Sequence, residues 1–165
     1  MLIRLLILCF VYFLPYVAAA QQKTLPALKI NQSIKIDGNL DDAAWKIAEP
    51  ISNFITISPV FGKPAKRISK VKLVYDNNAI YIGAYLYDNP STIRKQLTAR
   101  DMLDRQNVDI FTVGFDTYHD KQNAFIFRVS PANVQSDIKI SQSGAVYDHS
   151  WDAVWESKTS IKADG

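Results

Sequence analysis

Apolar and polar positions alternate along most of the chain, and the alternation is densest between residues 108 and 129. Val108, Ile110, Thr112 and Gly114 take one side of an extended chain, and Asp109, Phe111, Val113 and Phe115 take the other. Residues 116–123 are polar, after which Phe125, Phe127 and Val129 alternate with Ile126 and Arg128. Two strand-length runs rich in β-branched and aromatic residues, joined by a polar loop, predict a β-hairpin. Apolar groups on both sides of each run predict a pair interior to its sheet.

The same reading carries along the chain. Residues 21–29 form a polar, flexible lead-in, and Ile30, Ile34 and Ile36 predict a first strand over 30–36. Asp37-Gly38-Asn39 is a turn by composition. Asp41-Asp42 then opens a short helix through Ala48, favoured by acidic residues at its positive end and stopped by Glu49-Pro50. Leu40, Ala44, Trp45 and Ala48 share a helical face, so Trp45 is expected to plug a core. A short strand is expected over 53–58, then a basic loop over 59–70 of the kind that is solvated or carries function.

Val71, Leu73 and Tyr75 alternate into Asp76-Asn77-Asn78, and residues 79–87 return as a second hairpin. Tyr81, Tyr85 and Tyr87 share one face, expected to be half-buried with hydroxyls at the rim; a sugar-stacking platform is the alternative. A short helix is expected near 92–97, a strand over 134–141 and a last strand over 154–161. Seven or eight short strands with brief helices predict an all-β fold: an antiparallel β-sandwich, jelly-roll or immunoglobulin-like, with one or two short helices. Long amphipathic helices between strands, which a parallel α/β fold needs, are missing from the pattern.

The 165 residues make one domain after a leader is set aside. Residues 1–20 carry Arg4, an apolar run over 5–13 and Ala18-Ala19-Ala20, the pattern of a secretory signal peptide. The run is shorter than the roughly 20 residues of a spanning helix. Cys9 lies inside this leader behind Leu8, which does not fit a lipoprotein. The chain beyond residue 20 has no Cys, hence no disulfide and no thiolate metal site. Export to the periplasm, the outer membrane or the exterior is the expected localisation. Losing Arg4 takes the formal charge from +3 to +2, too mild to imply nucleic acid or an anionic membrane.

Several stretches in order resemble the family 9 carbohydrate-binding modules. Ile36-Asp37-Gly38-Asn39-Leu40-Asp41-Asp42-Ala43-Ala44-Trp45 resembles their opening. Tyr75-Asp76 with Tyr81-Ile82 resembles their next hairpin. Val108-Asp109-Ile110-Phe111 with Phe115-Asp116 resembles the central strand, and Trp151-Asp152-Ala153-Val154-Trp155 a late strand. The match spans nearly all of residues 30–165. It is nearest to amino-terminal domains of large bacterial envelope proteins with a carboxy-terminal barrel-like region. The family continues with Gly-Trp, an acidic residue and a strand ending Ile-Pro, whereas this sequence stops at Gly165. A module without its final strand or strands is therefore expected. Sugar-binding members clamp a terminal sugar between two aromatic rings, and both are not matched here.

The resemblance implies non-catalytic binding of a glycan or small sugar, in polysaccharide catabolism, by an exported module appended to a hydrolase or a larger envelope protein. The alternative is a structural or interaction domain with no sugar site, partnering a membrane-barrel region of the same or a neighbouring protein. For a sugar, Arg100, Asp101 and Asp104 are the candidate polar contacts, and Tyr118 and Trp151 the candidate rings. Their alternative is a surface ion-pair cluster. Asp116, Asp120, Asp137 and Asp148 are the candidate oxygen ligands for calcium, which family members often carry; turn-forming Asp is their alternative. His119 and His149 lack zinc spacing. A remote alternative is haem held by Met102 with His119 or His149, as in some relatives of this sandwich. No triad, nucleophile elbow or phosphate loop is present, so no intrinsic catalysis is expected.

Overall fold

The computed structural model describes residues 23–105 and 107–165; the leader, Cys9 included, lies outside them. The described residues are mostly sheet, with one α-helix and short 3-10 turns among them. The first sheet contains β1 (Ala27–Lys29), β2 (Ser69–Tyr75) and β3 (Ile80–Leu86), in that order. The second contains β4 (Phe111–Phe115), β5 (Ala124–Val129), β6 (Gln135–Ser141) and β7 (Val146–Asp148), also in order.

Turn chemistry fixes both predicted hairpins. Between β2 and β3, Asp76 Oδ1 accepts from the backbone N–H of Asn78 at 2.7 Å and of Ala79 at 2.8 Å. That sets the register Tyr75↔Ile80 through Ser69↔Leu86. Between β4 and β5, Asp116 accepts from the N–H groups of Asp120 and Lys121, and Asp120 from those of Gln122 and Asn123. The register there is Phe115↔Phe125 through Phe111↔Val129.

The helix α1 (Ala43–Ile47) presses Trp45, 3% exposed, into a core with Ile30, Ile34, Ala48 and Val74. Leu40, Ala44 and Tyr81 pack against that core, as the shared helical face requires. Gly83 on β3 makes the approach possible. A Cβ there would stand 2.8 Å from Leu40 Cδ2 and 3.1 Å from the Trp45 ring. The tyrosine row behaves as a sheet face with its hydroxyls at the rim: Tyr81 donates to Asp76 at 3.0 Å and Tyr85 to Asp164 at 2.5 Å. A second core gathers Leu103, Val108 and Val134.

Several expectations need correction. The lead-in is not unstructured throughout, because residues 27–29 form β1. That strand pairs parallel to β2, Ala27↔Leu73, so the pairing is not wholly antiparallel. Residues 30–36 leave the ladder after Ile30 N–H meets Tyr75 O at 2.8 Å, since Ile30 and Ile34 both turn into the core. Residues 53–58 form no strand: Asn53 has φ 58°, and only the isolated bridges Ile51↔Val71 and Ile55↔Pro64 hold the region. β4 is the end strand of its sheet rather than an interior one, and it begins at Phe111. The helix near 92–97 is a 3-10 turn at Pro90–Thr92.

Residues 151–161 alternate between half-buried and exposed without a break, yet belong to no ladder. Trp151, Ala153, Trp155, Ser157, Thr159 and Ile161 turn inward. Val154, at 106% exposure, and its alternate neighbours turn out. Among the described residues the backbone of 154–161 makes no main-chain hydrogen bond. Side chains hold the row instead. Ser157 Oγ donates to Asn133 Oδ1 at 3.0 Å and Thr159 Oγ1 to Pro131 O at 3.0 Å, while Ser160 Oγ donates to Gly38 O at 2.7 Å. A cavity of about 1550 Å³ is lined from both sheets, by Tyr81 and Tyr85 of the first and Phe111, Phe115 and Phe127 of the second, with Trp155.

Candidate functional site

The loop before the second sheet crosses that sheet's edge at Asp101. Asp101 N–H donates to Gln135 O at 3.1 Å, and its Oδ1 accepts from Asp137 N–H at 3.2 Å. The loop thus does for β6 what a neighbouring strand would do. Leu103, 1% exposed, anchors the crossing from below. Arg100 consequently lies on one side of the sheet and Asp104 on the other.

Arg100 is the hub of its side. Nη1 donates to Gln135 Oε1 at 2.7 Å, and Nη2 to Asp137 Oδ1 at 2.6 Å and Asp152 Oδ1 at 2.8 Å. Asp101 stands 3.6 Å from Nε. Asp137 is fully buried, on the face of β6 opposite to Ser136 and Ile138 and directly across from Phe127. Its second oxygen accepts from Ala153 N–H at 2.6 Å, and Trp155 Nε1 reaches Oδ1 at 3.4 Å. A buried carboxylate in this position is stable only because cation and N–H groups satisfy its lone pairs. It ties the loop, β6 and the 151–161 row together.

Beside the hub is a polar hollow of about 590 Å³, whose lining includes Trp155, Arg100, Asn133, Gln135, Glu156 and Lys158. Glu156 and Lys158 are exposed and have no ion-pair partner among the described residues. The Trp155 ring meets Phe127 edge-on at 5.3 Å on the inner side of the 151–161 row, while Glu156 and Lys158 are exposed on its outer side.

The five sequence candidates are not brought together. Arg100 and Asp101 are at the hub. Asp104 binds Arg128 bidentately, at 2.7 and 2.5 Å, on the far face. The Arg128 guanidinium holds the Asp104 carboxyl below its ordinary value, outweighing partial burial. Tyr118, 71% exposed, tips the β4–β5 loop beyond the Phe115–Phe125 end of the sheet. Trp151 stacks on Phe125 at 4.7 Å and meets Phe127 edge-on at 6.0 Å, facing the large cavity. The residues missed were Trp155, Gln135, Asn133, Glu156 and Lys158. The alternation of 151–161 does carry a signal for Trp155, since it puts that ring on the same side as Trp151.

The calcium set does not fit. Among the described residues no three metal-ligating side chains converge. Asp116 and Asp120 cap turns. Asp148 accepts from the Ser150 hydroxyl at 2.6 Å and N–H at 3.0 Å, bonds that depress its carboxyl. Asp120 is depressed in the same way by the N–H of Gln122 and the amide of Asn123. Asp137 is fully buried and paired with Arg100. Met102, the candidate haem ligand, is 40% exposed.

Compared with family models, curated proteins and solved structures, the chain matches none.

Proposed function

We propose that the two sheets stack as a β-sandwich of the family 9 carbohydrate-binding type, and that the chain is an exported, non-catalytic sugar-binding module serving polysaccharide catabolism. The observation that carries this reading is the polar hollow beside Trp155. The sugar's apolar face packs against the part of Trp155 that lines the hollow. Glu156 and Lys158, which are exposed, take adjacent hydroxyls, while Arg100 is held rigid by Gln135, Asp137 and Asp152. Isothermal titration with mono- and disaccharides, with and without chelator, tests it. Binding heat that persists in chelator and falls at least about tenfold in affinity for Trp155→Ala supports the reading, the loss of one sugar-stacking ring being worth a hot-spot residue.

One observation favours the alternative of a structural or interaction domain. The Arg100 guanidinium already has three close acceptors, so most of its five N–H donors are engaged before any ligand arrives. In that case Trp155→Ala lowers stability, and no sugar gives heat with the wild-type chain.

A further inference from the structure

The loop between α1 and β2 sets an apolar tip on a basic stem. Thr56 N–H donates to Lys63 O at 2.7 Å, Gly62 N–H to Thr56 O at 2.9 Å and Ala65 N–H to Phe54 O at 2.8 Å. These bonds cross-link the stem and push residues 57–61 outward together. The tip is greasy: Ile57 is 82% exposed, Phe61 75% and Val60 49%. Large apolar side chains grouped on one exposed loop mark a contact site, because their exposure to water is unfavourable without an apolar partner. The stem is cationic. Between residues 50 and 75 lie five Lys and Arg and no Asp or Glu. Arg67 is paired with Asp88 at 2.6 Å, Lys70 sits 5.4 Å over the Tyr87 ring, and Lys72 donates to Trp45 O. Lys63 and Lys66 have no carboxylate partner among the described residues.

We infer that this loop seats on an anionic lipid bilayer. Ile57, Val60 and Phe61 enter the boundary between headgroups and acyl chains, with Lys63 and Lys66 at the level of the lipid phosphates. Apolar tip and basic collar are the two halves of interfacial binding, and here a single tight loop carries both. The mild net charge of the whole chain is no obstacle, since attraction to a charged surface decays within about 10 Å at 0.1 M salt and is decided by the nearest groups. No described helix is long and apolar enough to cross a membrane. The inference is independent of the sugar reading, because none of these residues lines the hollow beside Trp155.

The test is a local one, so that the apolar leader over residues 5–13 does not confuse it. In the full chain carrying Cys9→Ser, an environment-sensitive fluorophore is attached through Phe61→Cys, or through Tyr118→Cys as a distant exposed control. Each protein is mixed with vesicles of phosphatidylcholine alone or of phosphatidylcholine with phosphatidylglycerol. The label at 61 should brighten and shift to the blue on the anionic vesicles only, while the label at 118 stays unchanged. Lys63→Glu with Lys66→Glu should weaken the response at least about tenfold, and about 1 M salt, where screening acts within about 3 Å, should do the same. No response at 61 on anionic vesicles, or an equal response in the doubly reversed variant, overturns the inference. A loop that docks an acidic protein instead gives the first of those results.

Discussion

Replacing Asp137 by alanine probes the hub directly. The carboxylate is fully buried and takes Arg100 at 2.6 Å, Ala153 N–H at 2.6 Å and Trp155 Nε1 at 3.4 Å. Removing one partner of a fully buried ion pair costs about 3–5 kcal/mol. Arg100 is 39% exposed and keeps Asp152 at 2.8 Å, so its charge is not stranded. The loss should therefore be smaller, about 2–3 kcal/mol, most of it the Ala153 N–H and the guanidinium bond left unmade. Urea unfolding followed by far-UV circular dichroism reads this as a midpoint lowered by about 1–2 M, for a slope of about 1–3 kcal/mol per molar. Asp137→Asn keeps an acceptor for Arg100 but sets an amide against Ala153 N–H if it does so, and should lose about half as much. Near-UV dichroism should change as well, because Trp155 loses its anchor. A cycle with Arg100→Ala should show clear coupling between the two sites. If Asp137→Ala moves the midpoint by less than about 0.3 M at unchanged slope, the keystone role assigned to this carboxylate is wrong.

Two further outcomes follow from the packing and the charges. Gly83→Val forces atoms into the space of Leu40 and the Trp45 ring, already 2.8 and 3.1 Å from a single Cβ. It should cost about 1–3 kcal/mol in the same urea assay, with Gly83→Ala milder because Leu40 can rotate away; an unchanged midpoint would show that α1 does not press on β3. Acid should weaken the fold through Asp104 and Asp109. The Arg128 hydrogen bond lowers Asp104, and for Asp109 the N–H and guanidinium of Arg94 outweigh an opposing push from burial. A carboxyl whose folded pKa lies below its unfolded one contributes stability that is complete above the ordinary 3.8 and lost as pH falls through the depressed value. Urea midpoints should therefore hold from neutral pH to about 4 and drop below it, and Asp104→Asn should flatten that drop. A profile unaltered by Asp104→Asn would mean that Arg128 does not hold this carboxyl.

Both hairpins were legible because period-two alternation and turn chemistry agree: Asp76-Asn77-Asn78 ends one strand at the residue where the apolar pattern reverses. Trp45 was legible through helical spacing. The failures have local causes. Residues 27–29 are too short a run to show a period, and their partner Leu73 is far along the chain. Residues 53–58 alternate well enough, but Asn53 takes a left-handed conformation that breaks the extended chain. The hub was half visible. Arg100 and Asp101 stand in a charge-rich loop, which marks them as polar contacts. Asp137 was read as a calcium ligand or a turn carboxylate, because its burial depends on Phe127 across the ladder and its charge partner is a cation 37 positions earlier. Neither neighbour leaves a trace in the local pattern. Asp104 and Arg100 are close in sequence, and no periodicity reveals that the sheet edge passes between them.

The row at 151–161 reverses the usual division of tasks in a β-structure. Elsewhere in the two sheets ladder hydrogen bonds of the main chain set position. Here Asn133, Ser157 and Thr159 do the aligning. Mutational tolerance is redistributed accordingly: Val154, fully in solvent, can accept nearly any side chain, whereas trimming the single hydroxyl of Ser157 removes its bonds to Asn133 and Gln135. Trp155 lies between two sets of such anchors, Asp137 on the Ala153 side and the Ser157 and Thr159 hydroxyls on the other, so the placing of the aromatic wall is written in side chains.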